Sequence, residues 1–189
     1  MRFKTKESAL AGLMAGLMVV VTVITRIPFV YAVVPFSFQP LVAVLAGTLL
    51  GARTGALSVL VYLLLGLAGL PVFATEPFGG LMYVLKPTFG FLVGQAAAAY
   101  VAGKLLENSK TGLPRYIIAS LAGMAVIYLV GLPYLYAALN FYLGKSTSVM
   151  KVLQIGFIPY VLWDLLKAVV VAIIARAVHR RLPEYSTEY

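Results

Sequence analysis

Long apolar runs, separated by short polar or Pro/Gly-rich stretches, fill most of the 189-residue chain. A helix that crosses a membrane needs about 20 mostly apolar residues. On this basis we predict helices over roughly 9–27, 40–51, 55–70, 87–106, 115–139 and 156–178. The second segment is short for a full crossing, so we expect it to be tilted or broken. The pattern predicts an all-α integral membrane protein with six transmembrane helices in one bundle, forming a single membrane domain over 1–189.

The composition supports this interpretation. Hydrophobic residues make up 62% of the chain and charged residues 11%, which leaves too little polar surface for a soluble domain of this size. The chain has no cysteine, so disulfides, thiolate chemistry and cysteine-based metal sites are excluded.

The net charge of +9 comes from basic residues at the ends of apolar runs, a placement that argues against nucleic-acid binding. If the N-terminus is inside, ten basic residues lie on the inner side and four on the outer side. The inner set is Arg2, Lys4, Lys6, Arg53, Lys104, Lys110, Arg115, Arg176, Arg180 and Arg181. This asymmetry predicts that both termini are cytoplasmic. The three longer loops, 28–39, 71–86 and 140–151, would then face outward and together form the mouth of one site.

Two opposite charges interrupt the last apolar run, GFIPYVLWDLLKAVVVAIIARAV. Asp164 and Lys167 are three residues apart and therefore share one helix face. Each charge costs on the order of 3 kcal/mol at the centre of a membrane. The pair is either a structural ion pair or a polar clamp for a small ligand. We favour the clamp because the outer loops converge on this half of the helix, where Tyr160 and Trp163 lie beside the pair.

Small residues recur at four-residue spacing, which allows close approach of helix backbones. Ala11 and Ala15, with Gly12 and Gly16, form this pattern in the first predicted helix. Internal packing explains most such pairs. For the first helix, a docking surface for another membrane subunit is the competing interpretation.

The sequence gives little support for a catalytic activity. An intramembrane aspartyl protease needs two carboxylates that share a proton, and Asp164 is the only aspartate in the chain. The single histidine, His179, lies in the basic terminal region, and no group of His and carboxylates suggests a metal site. The stretch LGKSTS lacks the glycine that a phosphate-binding loop needs five residues before GK. Any ATP-driven work would therefore come from a partner.

Aromatic residues are frequent in or beside the predicted outer loops. They fit either an interfacial aromatic belt or a lid over an apolar ligand. The residues are Phe36, Phe38, Phe73, Phe78, Tyr83, Phe141 and Tyr142.

Several of these stretches resemble one family when taken in order. They are VPFSFQPLVAVLAGTLLGARTGALSVLVYLLLGLAGLPVFA, then the pair Gly79 and Gly80, then PTFGFLVG, and finally IPYVLWDLLKAVVVAIIARAV with its Asp-x-x-Lys. The combination resembles the BioY family, the biotin-specific substrate-binding (S) components of energy-coupling factor (ECF) transporters. The resemblance covers roughly residues 5–182.

The resemblance implies a six-helix bundle in the plasma membrane, with a high-affinity vitamin site near its outer face. Such a component carries out no catalysis and needs no cofactor, since biotin is the transported ligand. Its implied partners are an ECF transmembrane coupling subunit, two ATPase subunits and membrane lipid. Ala11 and Ala15 resemble the docking motif on the first helix of S components.

The resemblance also implies a set of biotin contacts. An ionised Asp164 would accept a hydrogen bond from a ureido N–H, and Lys167 would donate one to the ureido oxygen or the valerate carboxylate. The remaining implied contacts are Phe73, Tyr83 and Trp163 against the thiophane ring, Gly79 and Gly80 at a close backbone approach, Gln39 in a lid, and Thr88 in the PT-x-G motif. A related acid such as lipoate, a biotin precursor, or a non-transport membrane scaffold remain the alternatives.

Overall fold

The computed structural model describes residues 5–27, 37–107 and 112–181, and this part of the chain contains helices and no strand. The helices are α1 (Thr5–Ile24), α2 (Gln39–Leu67), α3 (Phe89–Leu106), α4 (Leu113–Ala137), α5 (Val149–Gly156) and α6 (Ile158–Arg181). A 3-10 turn, Leu81–Leu85, precedes α3, and a π-helical turn, Ala138–Tyr142, follows α4. In the described ranges, all of these α-helices except α5 are long and apolar enough to cross a membrane, which gives five candidate spans.

Helix α2 is sharply bent at Gly51, whose φ of 80° and ψ of 173° are not helical. A Cβ atom placed on Gly55 would lie 2.5 Å from the Cα of Gly47. In a straight helix, residues eight apart are separated by about 12 Å along the axis. The chain therefore folds back at Gly51 into two limbs, 39–50 and 52–67. These limbs correspond to the second and third helices predicted from the sequence, which are one interrupted element in the structure.

Glycine allows the central helices to approach backbone to backbone. A Cβ on Gly47 would lie 2.7 Å from the carbonyl carbon of Ala99, and one on Gly103 would lie 2.5 Å from the carbonyl carbon of Gly51. Both contacts join α3 to the bend region of α2. At these glycines small residues serve the internal packing of the chain's own helices.

The bundle has two ends that differ in their connections. At one end, which we call the loop end, Arg26 donates a hydrogen bond to the carbonyl of Pro71, and Tyr134 donates one to the carbonyl of Val84. These bonds tie the ends of α1 and α4 to the segment 68–88, which joins α2 to α3.

We call the opposite end the elbow end, because it contains the bend at Gly51. There, Tyr116 contacts Nδ1 of His179 at 2.6 Å, and Nε2 of His179 lies 3.3 Å from the carbonyl oxygen of Leu49. These contacts connect α4, α6 and the first limb of α2.

Helix α5 lies where the sequence led us to expect mostly loop. Its start is capped by Ser148, whose hydroxyl accepts a hydrogen bond from the backbone N–H of Lys151 at 3.3 Å. A serine cap before an amphipathic segment is a local signal for a helix. Of the residues used in the sequence predictions, Arg2, Lys4, Phe36 and Lys110 lie outside the described ranges.

The first helix presents a different small-residue face from the one predicted to dock a partner. Ala11 and Ala15 are each only 1% exposed, and Ala15 belongs to the apolar core that includes residues of α2 and α3. By contrast, Gly12 and Gly16 are exposed, and a Cβ on either would meet no atom within 4 Å. The predicted docking pair is thus turned inward, because it packs against the chain's own helices. Its neighbours in sequence, Gly12 and Gly16, are exposed instead.

Candidate functional site

Asp164 and Lys167 form a buried ion pair on α6. The Nζ of Lys167 lies 2.8 Å from Oδ1 of Asp164, and the two residues are 8% and 9% exposed. Lys167 also donates a hydrogen bond to the carbonyl of Ser37 at 2.8 Å, while the hydroxyl of Tyr128 donates to Oδ2 of Asp164. The prediction that the two charges share one helix face is confirmed.

The pair lies far from both ends of its helix. Helix α6 has 24 residues, beginning at Ile158 and ending at Arg181. With a rise of about 1.5 Å per residue, Lys167 is about 14 Å from the start of the helix and about 21 Å from its end. Because the charged groups are buried at this depth, their stability depends on the partners that the protein supplies.

Aromatic packing holds Tyr128 in position beside Asp164. Its ring makes edge-to-face contacts with Phe157, at a centroid separation of 4.9 Å, and with Phe91, at 6.3 Å. Phe91 in turn fits against Gly131, where any side chain would overlap its ring. The orientation of the Tyr128 hydroxyl is therefore set by neighbours on α3, α4 and the turn before α6.

A second polar cluster, which we call the Gln39 cluster, lies at the start of α2. The Nε2 of Gln39 donates to the hydroxyls of Thr22 and Tyr62, both at 2.7 Å. Tyr62 in turn donates to the carbonyl of Val72 at 3.0 Å. Gln39, Thr22 and Tyr62 are all buried, so these hydrogen bonds connect α1, α2 and the segment 68–88 within the interior.

Phe73 and Tyr83 pack next to the Gln39 cluster. The ring centroids of Phe73 and Tyr83 are 4.2 Å apart. Phe73 also makes an edge contact with Tyr62, at a centroid separation of 5.8 Å. The hydroxyls of Tyr83 and Thr75 are 3.1 Å apart. Both residues belong to the segment 68–88 and are buried, and we call this pair of rings, Phe73 and Tyr83, the aromatic floor.

The predicted glycine pair anchors the same segment to α2. The backbone N–H of Gly80 donates to the carbonyl of Gly66 at 2.7 Å, and a Cβ on Gly79 would overlap the carbonyl of Leu70. Gly80 has a φ of 94°, which favours glycine. Thr88 caps α3 through its backbone, since its carbonyl accepts from the N–H of Phe91 at 3.1 Å, and the residue is exposed.

Ser37 connects the ion pair with the Gln39 cluster. Its carbonyl accepts from Lys167, while its hydroxyl accepts from the backbone N–H of Gln39 at 3.1 Å. The two polar groups therefore meet at the start of α2.

Trp163, one of the predicted ligand contacts, lies on a different face of α6 from the ion pair. It is 47% exposed, although it precedes Asp164 directly. Sequence reasoning also missed three side chains that the structure places in the site: Thr22, Tyr62 and Tyr128. Their hydroxyls lie in apolar runs without a local motif, so only the tertiary structure identifies them.

The candidate site contains both a hydrogen-bond acceptor and a hydrogen-bond donor among apolar neighbours. The carboxylate of Asp164 accepts, the ammonium of Lys167 donates, and the rings of Phe73 and Tyr83 supply apolar surface. Within the described residues, no group of three or more His, Cys, Asp or Glu side chains is placed to hold a metal ion. As a set, the charged pair can form hydrogen bonds of both kinds and the two rings can pack against apolar groups.

Comparison with known proteins finds a matching family and similar proteins. The family model described as the BioY family matches residues 1–184. A probable biotin transporter BioY from Lysinibacillus sphaericus is 37% identical over 179 residues, which cover 93% of this chain and 89% of that protein. The biotin transporter BioY of Thermotoga maritima is 39% identical over 142 residues, covering 75% of this chain and 79% of the relative.

A solved structure shares the fold. The crystal structure of the S-component for biotin from an ECF-type ABC transporter superposes with a TM-score of 0.73, at 23% sequence identity and with 95% of each chain covered. Together with the five apolar helices of spanning length, these matches indicate a multi-pass membrane protein. The family model and the curated relatives cover most of the sequence, and we conclude that this chain belongs to the BioY family.

Proposed function

We propose that this protein is the biotin-binding subunit of an uptake system in the plasma membrane. The observation that carries the proposal is the buried Asp164–Lys167 pair, in a chain that belongs to a family whose curated relatives are named biotin transporters. Its role is binding and transport without catalysis, and it needs no cofactor.

The hydrogen-bonding groups of biotin match those of the pair. The ureido ring of biotin has two N–H donors and one carbonyl acceptor. Asp164 accepts from a ureido N–H, and Lys167 donates to the ureido oxygen or to the valerate carboxylate. The thiophane ring packs on Phe73 and Tyr83, and Gln39 holds the start of α2 against the ligand.

The proposed topology is one membrane domain of residues 1–189 with six crossings. The two limbs of α2 supply two of them, and both termini lie in the cytoplasm. The excess of basic residues near the elbow end supports this orientation by the positive-inside rule. The loop end, with its ligand site, then faces outward.

The proposed partners are an ECF transmembrane coupling subunit and two ATPase subunits, with membrane lipid around the bundle. The exposed Gly12–Gly16 face of α1 supports a contact with the coupling subunit, because small residues permit close helix packing. Replacing both glycines with leucine should abolish uptake by the assembled transporter while biotin affinity stays within twofold of wild type. Loss of uptake together with loss of biotin binding would count against a docking role.

Calorimetric titration of the detergent-solubilised protein tests the function directly. We expect biotin to bind with nanomolar to low-micromolar affinity, whereas riboflavin does not bind and lipoate binds far more weakly. Preferential binding of lipoate or of a biotin precursor would keep the S-component role and change the ligand. A folded sample that binds none of these compounds would refute the proposal.

A membrane scaffold is the second candidate, and one observation favours it. Both charges of the pair already have protein partners, as a purely structural pair requires. Exchanging the two charges tests the ligand role, because the ion pair is kept while the donor and the acceptor proposed to face the ligand change places.

A further inference from the structure

Gln95 is a buried polar side chain of α3 that the proposed ligand contacts do not include. It is 3% exposed, and its carboxamide oxygen has no hydrogen-bond partner in the part of the chain that the structure describes. The other buried glutamine, Gln39, uses its amide nitrogen in two hydrogen bonds.

An unpartnered buried amide oxygen calls for an explanation. Most buried polar side-chain atoms in folded proteins have a hydrogen-bond partner, because leaving an acceptor desolvated and unpaired is unfavourable. In a helix surrounded by apolar neighbours, leucine or methionine would fill the same space without this penalty. A donor on a ligand would satisfy the oxygen.

The position of Gln95 lies between the two halves of the proposed site. One turn further along α3, Ala98 belongs to the apolar cluster that contains Ala168, the residue after Lys167. The adjacent Ala99 and the preceding Leu92 belong to the cluster that contains Phe73 and Tyr83. Gln95 is thus at the boundary between the ion-pair side and the aromatic floor.

The direction of helical side chains brings the amide nearer to the loop end. Side chains on a helix lean toward its N-terminus, so the Gln95 amide covers the turn that carries Phe91 and Leu92. Phe91 packs on Tyr128, the donor to Asp164. By this geometry the amide is expected at the turn that carries both Phe91, on the ion-pair side, and Leu92, on the side of the aromatic floor.

We infer that Gln95 is a ligand contact whose carboxamide oxygen accepts a hydrogen bond from one ureido N–H of biotin, while Asp164 accepts from the other. This inference rests on the proposed function. It gives each of the two N–H donors of the ureido ring its own acceptor, one neutral and one charged. The residue thereby selects for ligands that contain a cyclic urea.

The selection follows from the penalty on the unpaired oxygen. A ligand such as lipoate has no N–H, so its binding leaves the Gln95 oxygen unsatisfied. Sites built to hydrogen-bond a polar group reject analogues that lack the group far more strongly than apolar pockets do. Gln95 is accordingly a determinant of specificity as well as affinity.

The test compares Gln95→Leu with wild type and with Val93→Ala, a control on the exposed face of the same helix. Biotin, desthiobiotin and lipoate are titrated into each protein. We expect Gln95→Leu to reduce the affinity for biotin and desthiobiotin at least fivefold and to leave lipoate affinity unchanged or higher. Val93→Ala should bind all three as wild type does.

The ligand-free melting temperature distinguishes a contact from a structural role. Removing an unpaired oxygen should leave the melting temperature of the empty Gln95→Leu protein unchanged or raise it, and Gln95→Met should behave in the same way. Equal losses for all three ligands, a lowered melting temperature in both variants, or unchanged biotin affinity would each overturn the inference. Failure of the wild-type protein to bind biotin would instead refute the proposed function.

Discussion

Three glycines at the elbow end of the bundle face backbone atoms of neighbouring helical segments, whereas three helical glycines toward the loop end face aromatic rings. Gly47, Gly55 and Gly103 have backbone atoms as their nearest neighbours. The corresponding neighbours at the loop end are rings: Phe73 for Gly66, Tyr134 for Gly90 and Phe91 for Gly131.

We infer from this difference a rigid part, where an added side chain must shift whole helices, and a part we call adaptable, where it must displace only side chains. Backbone atoms of two packed helices cannot move aside without shifting both helices, while an aromatic side chain can change rotamer. The ion pair and the aromatic floor lie in the adaptable part. We therefore expect substitutions at the elbow end to affect folding and substitutions at the loop end to affect ligand binding.

The largest effect should come from Gly47→Ala at the elbow end. The added Cβ would lie 2.7 Å from the carbonyl carbon of Ala99, so α2 and α3 must separate. We expect little folded protein in detergent, as judged by size-exclusion chromatography and thermal melting. Gly16→Ala is the matched control, because its Cβ meets nothing within 4 Å and alanine favours helix by about 1 kcal/mol. Equal melting temperatures of the two variants would contradict the comparison.

The next largest effect should come from exchanging the two charges of the ion pair. In the double variant Asp164→Lys, Lys167→Asp, the pair remains neutral but the donor and the acceptor change places. We expect a folded protein whose biotin affinity falls at least a hundredfold in calorimetric titration. Biotin binding at wild-type strength would support a structural pair and the scaffold alternative.

A smaller effect is expected for Tyr128→Phe. The substitution removes the hydroxyl that donates to Asp164 and keeps the ring between Phe91 and Phe157. A hydrogen bond to a charged group contributes about 1.5–3 kcal/mol, so biotin affinity should fall by between about tenfold and a hundredfold. Tyr136→Phe, on the same helix, should change the affinity less than twofold. Similar losses in both variants would show that the hydroxyl of Tyr128 has no specific role.

The sequence was informative where physical constraints are local. Apolar runs located α1, α3, α4 and α6 to within a few residues at most ends, because membrane crossing imposes length and hydrophobicity. The spacing of Asp164 and Lys167 predicted their contact because helix geometry determines which residues share a face.

The sequence was less informative about features that depend on tertiary packing, such as which face of a helix is buried. Both faces of α1 carry small residues at four-residue spacing, so the pattern alone does not reveal that Ala11 and Ala15 turn inward while Gly12 and Gly16 remain exposed. The partners Ser37 and Tyr128 are 130 and 36 residues from the charges they contact. No local pattern specifies contacts over such separations.

The central claim is that the Asp164 carboxylate binds the ligand, and one measurement tests it most directly. Biotin is titrated calorimetrically into wild type, Asp164→Asn and the control Leu162→Ala, whose leucine is exposed on α6. Asparagine retains the shape of the side chain but loses the charge, and it places an N–H₂ group where an acceptor is needed. With all three proteins folded, we predict at least a tenfold weaker biotin affinity for Asp164→Asn alone. Equal affinities in the three proteins would contradict the account.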